Sequence, residues 1–182
     1  MIIASQKRKE NIAEYLLYMW QVEDLIRANN MDLDKIEQNI ISKYNLSQED
    51  HDSMLGWYES LIDMMRREGI VTSGHLQLCK NVIIQLNELH NNLLKDTRFS
   101  EYSVEFYKTL PFIVELRAKA KDNKEGEIET CFTALYGFLL FKLQKKNLSI
   151  DTQNALMQIA HFIAVLAHYF KLDSEDKLFN DD

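Results

Sequence analysis

The residues of this chain whose types and spacing could do chemistry are few. His75 and Cys79 stand four apart, the separation that puts an imidazole and a thiol on one helix face as half of a zinc site, but no second pair with suitable spacing accompanies them. His51-Asp52 is the dipeptide of a class of helical metal-dependent phosphohydrolases, which also needs a histidine well upstream. None precedes His51, so the pair reads as an exposed first turn. His161 and His168 lie two turns apart and read as packing histidines at the rim of an apolar face. The chain has no Glu-x-x-His pair, Gly-rich phosphate loop, Gly-x-Ser-x-Gly elbow, His-Glu-x-x-His or Cys-x-x-Cys, which removes the commonest metal, nucleophile and phosphate chemistries. No metal and no cofactor is expected.

One carboxylate stands out against that background. Glu23 falls in helical register with Ile12, Leu16, Met19 and Ile26, so it points along an apolar face where an unpaired charge is costly. Its candidate partners are Arg27 one turn on, Arg66, Arg67 and Arg117, the last in register with Leu110 and Val114. Two readings follow. Either an internal salt bridge orients the helices, or Trp20, Glu23, Asp24, Arg27 and Arg117 line a polar pocket for a small charged ligand or a partner residue.

These side chains must be placed by helices. One proline and 5 glycines in 182 residues are too few for the many tight turns of a sheet protein, and no run alternates as a strand does. The apolar spacing predicts an all-α, single-domain bundle of about seven helices. The first spans Asn11 to Ala28. A short second begins at a capping box formed by Asp34 and Glu37, and the third runs from an N-cap at Ser47 to Arg67, with Gly69 as the left-handed residue beyond its end. The fourth opens at Ser73-Gly74 and reaches about Leu94. The fifth covers Ser100 to Lys121 with Pro111 inside it, predicting a kink or two short helices. The sixth, about Ile128 to Lys145, is apolar nearly all round, as a buried central helix is. It forms a hairpin with the seventh, which starts near Ser149 or Asp151 and buries Leu156, Ile159, Ile163 and Leu166. Lys119 to Glu127 is the most polar connection. The domain is expected over residues 1–172, with residues 173–182 as an acidic, frayed tail.

Composition narrows function further. A formal net charge of −7 argues against binding to nucleic-acid backbones, an affinity that Lys and Arg supply. The start, Met1-Ile2-Ile3-Ala4 before Lys7-Arg8-Lys9, has the reverse order of a secretory signal. The apolar stretch from Cys131 to Leu143 is shorter than the roughly 20 residues of a membrane span. Cys79 and Cys131 do not make a disulfide framework. A cytoplasmic protein is expected, with no membrane partner.

Three segments, E-N-I-A-E-Y-L-L-Y-M-W-Q-V-E-D-L-I-R-A (Glu10 to Ala28), Glu68-Gly69 through Gly74-His75-Leu76-Gln77, and Glu127 to Leu140, resemble an all-helical Bacteroidetes family known as a domain of unknown function. The resemblance covers the whole chain and implies an all-α fold; it carries over no activity and no site residues. The sequence thus points first to a helical protein-binding or scaffolding module without catalytic activity, with a protein partner or a homo-oligomer. The alternative is a small-ligand sensor or enzyme whose inter-helix pocket uses Glu23, Asp24, Arg27 and Arg117.

Overall fold

The structure, a computed structural model, describes residues 2–120, 125–145 and 147–179. These form eight α-helices and no strand among the described residues: α1 (Ile2–Glu10), α2 (Ile12–Ala28), α3 (Leu33–Asn39), α4 (Gln48–Arg67), α5 (Gln77–Lys95), α6 (Ser100–Lys119), α7 (Glu127–Leu143) and α8 (Ile150–Ser174). The helix added to the expected seven is α1. Its lysines gather in the last turn, where they complement the helix dipole, and Lys7 reaches Glu14 at 2.9 Å.

Local chemistry sets the helix ends. Asn11 accepts a hydrogen bond from the Ala13 amide at 3.0 Å as α2 begins. The cap of α3 is Asp32, not Asp34: its backbone is extended and its carboxylate accepts from the amides of Asp34 and Lys35. Ser47 and Ser149 cap α4 and α8, each accepting from the amide three residues on. Gly69 follows α4 with φ of +70°, the conformation glycine takes without strain. Pro111 stands inside α6, which is one helix from Ser100 to Lys119; of the two expected outcomes, a kink or two short helices, the second does not occur.

The contacts gather into two compact units, one of residues 1–10 and 14–81 and one of residues 11–13 and 82–182, with α5 crossing the boundary. In the first, α2, α3 and α4 bury Leu16, Met19, Ile26, Ile36, Leu61 and Met65. In the second, α8 packs against both α6 and α7, and α6 packs on α7; the core here is aromatic, with Tyr102, Phe106, Phe132 and Phe162 buried. The residues of 121–124 within the polar connection, and Lys146, lie outside the described residues.

One sequence expectation changes in the second unit. Residues Ile128, Thr130, Cys131 and Phe132 of α7 are buried, but no residue from Thr133 to Leu143 is. The helix is therefore not enclosed on all sides: Ala134 to Leu140 are half-buried and Phe141 to Leu143 exposed. In the tail expected to fray, Leu178 is buried and Phe179 stands edge-on to Phe99 at 5.6 Å; residues 180–182 lie outside the described residues.

His90 sits in this aromatic core, nearly inaccessible. Its Nδ1 is 2.6 Å from the Tyr102 hydroxyl, its ring is 4.7 Å from Phe106, and its Nε2 lies 3.7 Å from the Glu127 carboxylate. Burial holds His90 below its ordinary value of 6.5, with Glu127 opposing the shift only in part. The neutral ring is the form the core accepts. The unfolded chain therefore binds the proton more readily, so stability falls as pH drops below about 6.5 and keeps falling until the folded value is passed. The carboxylates held low, Asp32, Asp96, Glu105 and Glu175, act at lower pH. Urea unfolding from pH 7 to pH 5 is expected to show a declining midpoint, and His90→Phe to flatten that decline; an unchanged slope in the variant refutes the assignment.

Candidate functional site

Trp20, Glu23 and Arg27 follow one another at three- and four-residue spacing on α2, so helix geometry alone puts them along one face. Trp20 and Glu23 are both buried, and Glu23 has no exposed surface. The segment between α4 and α5, residues 68–76, lies against this face, and its ends carry Gly69 and Gly74, both at positive φ.

Glu23 fastens the far end of that segment. One carboxylate oxygen is 2.7 Å from His75 Nδ1; a carboxylate only accepts, so the imidazole donates from that nitrogen. The other oxygen accepts from the Leu76 amide at 3.0 Å and from the Cys79 thiol at 3.5 Å. Leu76 immediately precedes α5, so a side chain of α2 supplies the acceptor for an N-terminal amide of α5, where a negative charge also meets the positive end of the helix dipole. This explains why α5 starts at Gln77 rather than at Ser73-Gly74. The His75 ring lies flat on Trp20, with centroids 4.0 Å apart and planes 13° from parallel, and 31% of its side chain reaches solvent.

Arg27 fastens the near end. Its guanidinium donates to the Ile70 carbonyl at 3.2 Å from Nη2 and at 3.4 Å from Nε, and also to the Gly74 carbonyl. Asp24 orients it with an ion pair at 2.9 Å. The planar fork suits this role, since it meets several backbone carbonyls at once. Arg66 does similar work nearby, donating to the Met31 carbonyl at 3.0 Å, where Asn30 and Met31 turn with positive φ after α2.

The structure thus brings together four of the five residues singled out from the sequence: Trp20, Glu23, Asp24 and Arg27. Arg117 lies on α6, half-buried, within the second unit. The partner of Glu23 is His75 rather than any of the candidate arginines. In the sequence His75 and Cys79 read together only as zinc ligands, although their four-residue spacing at the start of a helix puts both on one face. The pairing with Glu23 depends on a fold-level contact across about fifty residues, which spacing does not show.

The chemistry of the cluster is that of a clasp. Burial, and then the negative charge of Glu23, push the Cys79 thiol far above its ordinary range, the reverse of an activated nucleophile. Burial likewise raises Cys131, to about 12. Among the described residues, no three His, Cys, Asp or Glu side chains gather as metal ligands. His51 lies between Glu37 and Asp52 at 3.3 and 3.4 Å, itself half-buried.

A two-unit, all-helical protein in which a buried carboxylate and an arginine clasp one connecting segment is the class these features define. Over residues 1–177 the chain matches the family described as Domain of unknown function (DUF4924), and it belongs to that family. No curated protein and no solved structure matches it.

The clasp has measurable consequences. Glu23→Ala is expected to destabilise the protein by about 3 kcal/mol, because it strands a buried amide, an imidazole and a thiol at once. Glu23→Gln keeps an acceptor for the Leu76 amide and is expected to cost about 1 kcal/mol. Arg27→Met is expected to speed hydrogen exchange in residues 70–76 while leaving α6 to α8 protected. Equal urea midpoints for Glu23→Ala and wild type, or unchanged exchange in Arg27→Met, contradict this account.

Proposed function

We propose that this chain is a helical protein-binding or scaffolding module without catalytic activity, working in the cytoplasm, and that the second half of α7 with the start of α8 meets its partner. In this reading α7 and α8 act as the central hairpin of the second unit, beside an α6 bent at Pro111. The carrying observation is the segment from Thr133 to Leu143, T-A-L-Y-G-F-L-L-F-K-L, in which no side chain is buried. Ala134 to Leu140 are half-buried and Phe141 to Leu143 exposed; a helix apolar nearly all round is a helix meant to be covered on most sides, and each Å² of apolar surface still in water forfeits about 25 cal/mol. Leu143 at its end is 69% exposed, and Ile150 at the start of α8 is 76% exposed. Contiguous apolar surface of this kind marks interaction sites.

Two observations favour a protein over other partners. By length and composition α8 could cross a membrane, but Thr152, Gln153, Asn154, His161 and His168 are exposed along it. A spanning helix would present apolar residues outward instead. The net charge of −7 disfavours nucleic acid.

The test isolates the protein at its natural level from its own host, as wild type and as the double variant Phe141→Glu, Leu143→Glu. The wild type is expected to retain a partner protein in stoichiometric amount. The variant is expected to lose at least about tenfold in affinity for it, with unchanged helical content and unfolding midpoint, because both positions are already exposed. A wild type that carries no protein partner, or a variant that holds the partner equally well, sinks the reading.

A further inference from the structure

We infer that α6 is a self-association seam, through which two copies of this chain pair antiparallel about a two-fold axis. The seam is a second surface, separate in sequence from the α7 segment. Along α6, Val104, Tyr107, Pro111, Val114 and Ala118 recur at alternating spacings of three and four residues, and all of them are exposed. Val104 is 51%, Tyr107 63% and Val114 57% accessible. Core packing does not explain this stripe, since α6 buries its opposite face through Tyr102, Phe106, Thr109 and Ile113. The alternation is the heptad pattern by which a helix packs along another helix of matching pattern. A second copy of α6 supplies such a partner, and an isologous two-fold contact needs only one patch that complements itself.

The flanking charges choose the direction and the register. Lys108 and Glu115 both border the stripe on the same side, seven residues apart, with side chains 58% and 61% exposed. In an antiparallel pair, side chains on that side meet their own kind from the other copy. The register that sets Pro111 against Val114 of the second copy, and Tyr107 against Ala118, brings Lys108 of each copy within a turn of Glu115 of the other. It also places the largest residue of the stripe against the smallest, as interdigitation requires. Sliding by one heptad sets Val104 against Val114 and Tyr107 against Pro111, but Lys108 then faces Lys108 and Glu101 faces Glu115, so like charges reject it. A parallel pair would put Lys108 opposite Ser103 or Leu110, gaining no ion pair, and would align the two helix dipoles unfavourably. The bonds Lys108 and Glu115 now make, to Glu105 at 2.7 Å and Lys119 at 2.6 Å, are exposed pairs of small worth and yield readily to the new partner.

Sedimentation velocity of the full chain over a range of concentrations tests this. The wild type is expected to show a reversible monomer–dimer equilibrium, and Val114→Glu to weaken it on the order of a hundredfold by placing a charge in the seam. Lys108→Glu and Glu115→Lys, each alone, are expected to weaken it on the order of tenfold, and the two together to restore it. Circular dichroism should be the same for all, since every changed position is exposed. A wild type that stays monomeric at high concentration overturns the inference. So does a dimer that survives Val114→Glu, or a charge-swapped double variant that stays as weak as the single ones. Phe141→Glu, Leu143→Glu serves as the control for the α7 surface: it is expected to leave the dimer intact, and its loss there would move the contact to α7 and overturn the α6 seam.

Discussion

A carboxylate with no access to water must be answered by donors wherever it sits, and in the first unit that single demand organises the connection between α4 and α5. Glu23 cannot be answered by its own helix, whose amides are committed to their ladder. It takes an amide that a helix start leaves orphaned, that of Leu76, together with the His75 and Cys79 groups on either side. Burial cost and capping need thus offset each other: the helix start supplies the donors that make the buried charge tolerable, and the charge supplies the acceptor the helix start lacks. Arg27 repeats the arrangement with opposite sign, using backbone carbonyls of a segment that forms no helix. The segment of residues 70–76 is therefore held by polar groups of α2 at both ends.

The second unit meets the same problem with a neutral group. His90 is buried among rings and bonded to Tyr102, and Glu127 stands near enough to attract Nε2 but too far for a hydrogen bond. An aromatic core tolerates an uncharged imidazole much better than an imidazolium. Here the protonation state of one residue is tied to the packing of α5, α6, α7 and α8, whereas the clasp of the first unit rests on a buried acceptor and the donors gathered around it.

How far the sequence disclosed this depends on whether the controlling interaction is local. The ends of α4 were legible because Ser47 and Gly69 act within a turn of themselves. The cap of α3 was misplaced by two residues because Asp32 and Asp34 offer the same carboxylate, and only backbone conformation separates them. Glu23 was legible as an anomaly from its register, but its partner was not, since His75 approaches through tertiary folding. His90 gave no signal at all: its neighbours Glu88, Leu89 and Asn91 do not distinguish a buried imidazole from an exposed one. The expectation of a fully buried α7 failed for a related reason, in that periodicity reports how apolar a helix is and not whether its own chain has enough helices to cover it.

That last failure separates the two kinds of apolar surface on this protein. The stripe on α6 is narrow, heptad-spaced and bordered by charges of both signs, which is enough to specify a direction, a register and a partner with the same pattern. The end of α7 is broad, apolar on several sides and almost without charge between Thr133 and Phe141, so it constrains a partner by shape and hydrophobicity more than by electrostatics. Electrostatic complementarity sets specificity and approach, while apolar burial supplies most of the holding energy. A chain that uses both surfaces would pair with itself through the selective one and leave the adhesive one at a defined place on each copy. Its folded core then has one task, which the clasp and the aromatic cluster perform in their separate units: keeping helices that present apolar residues to water from rearranging to bury them.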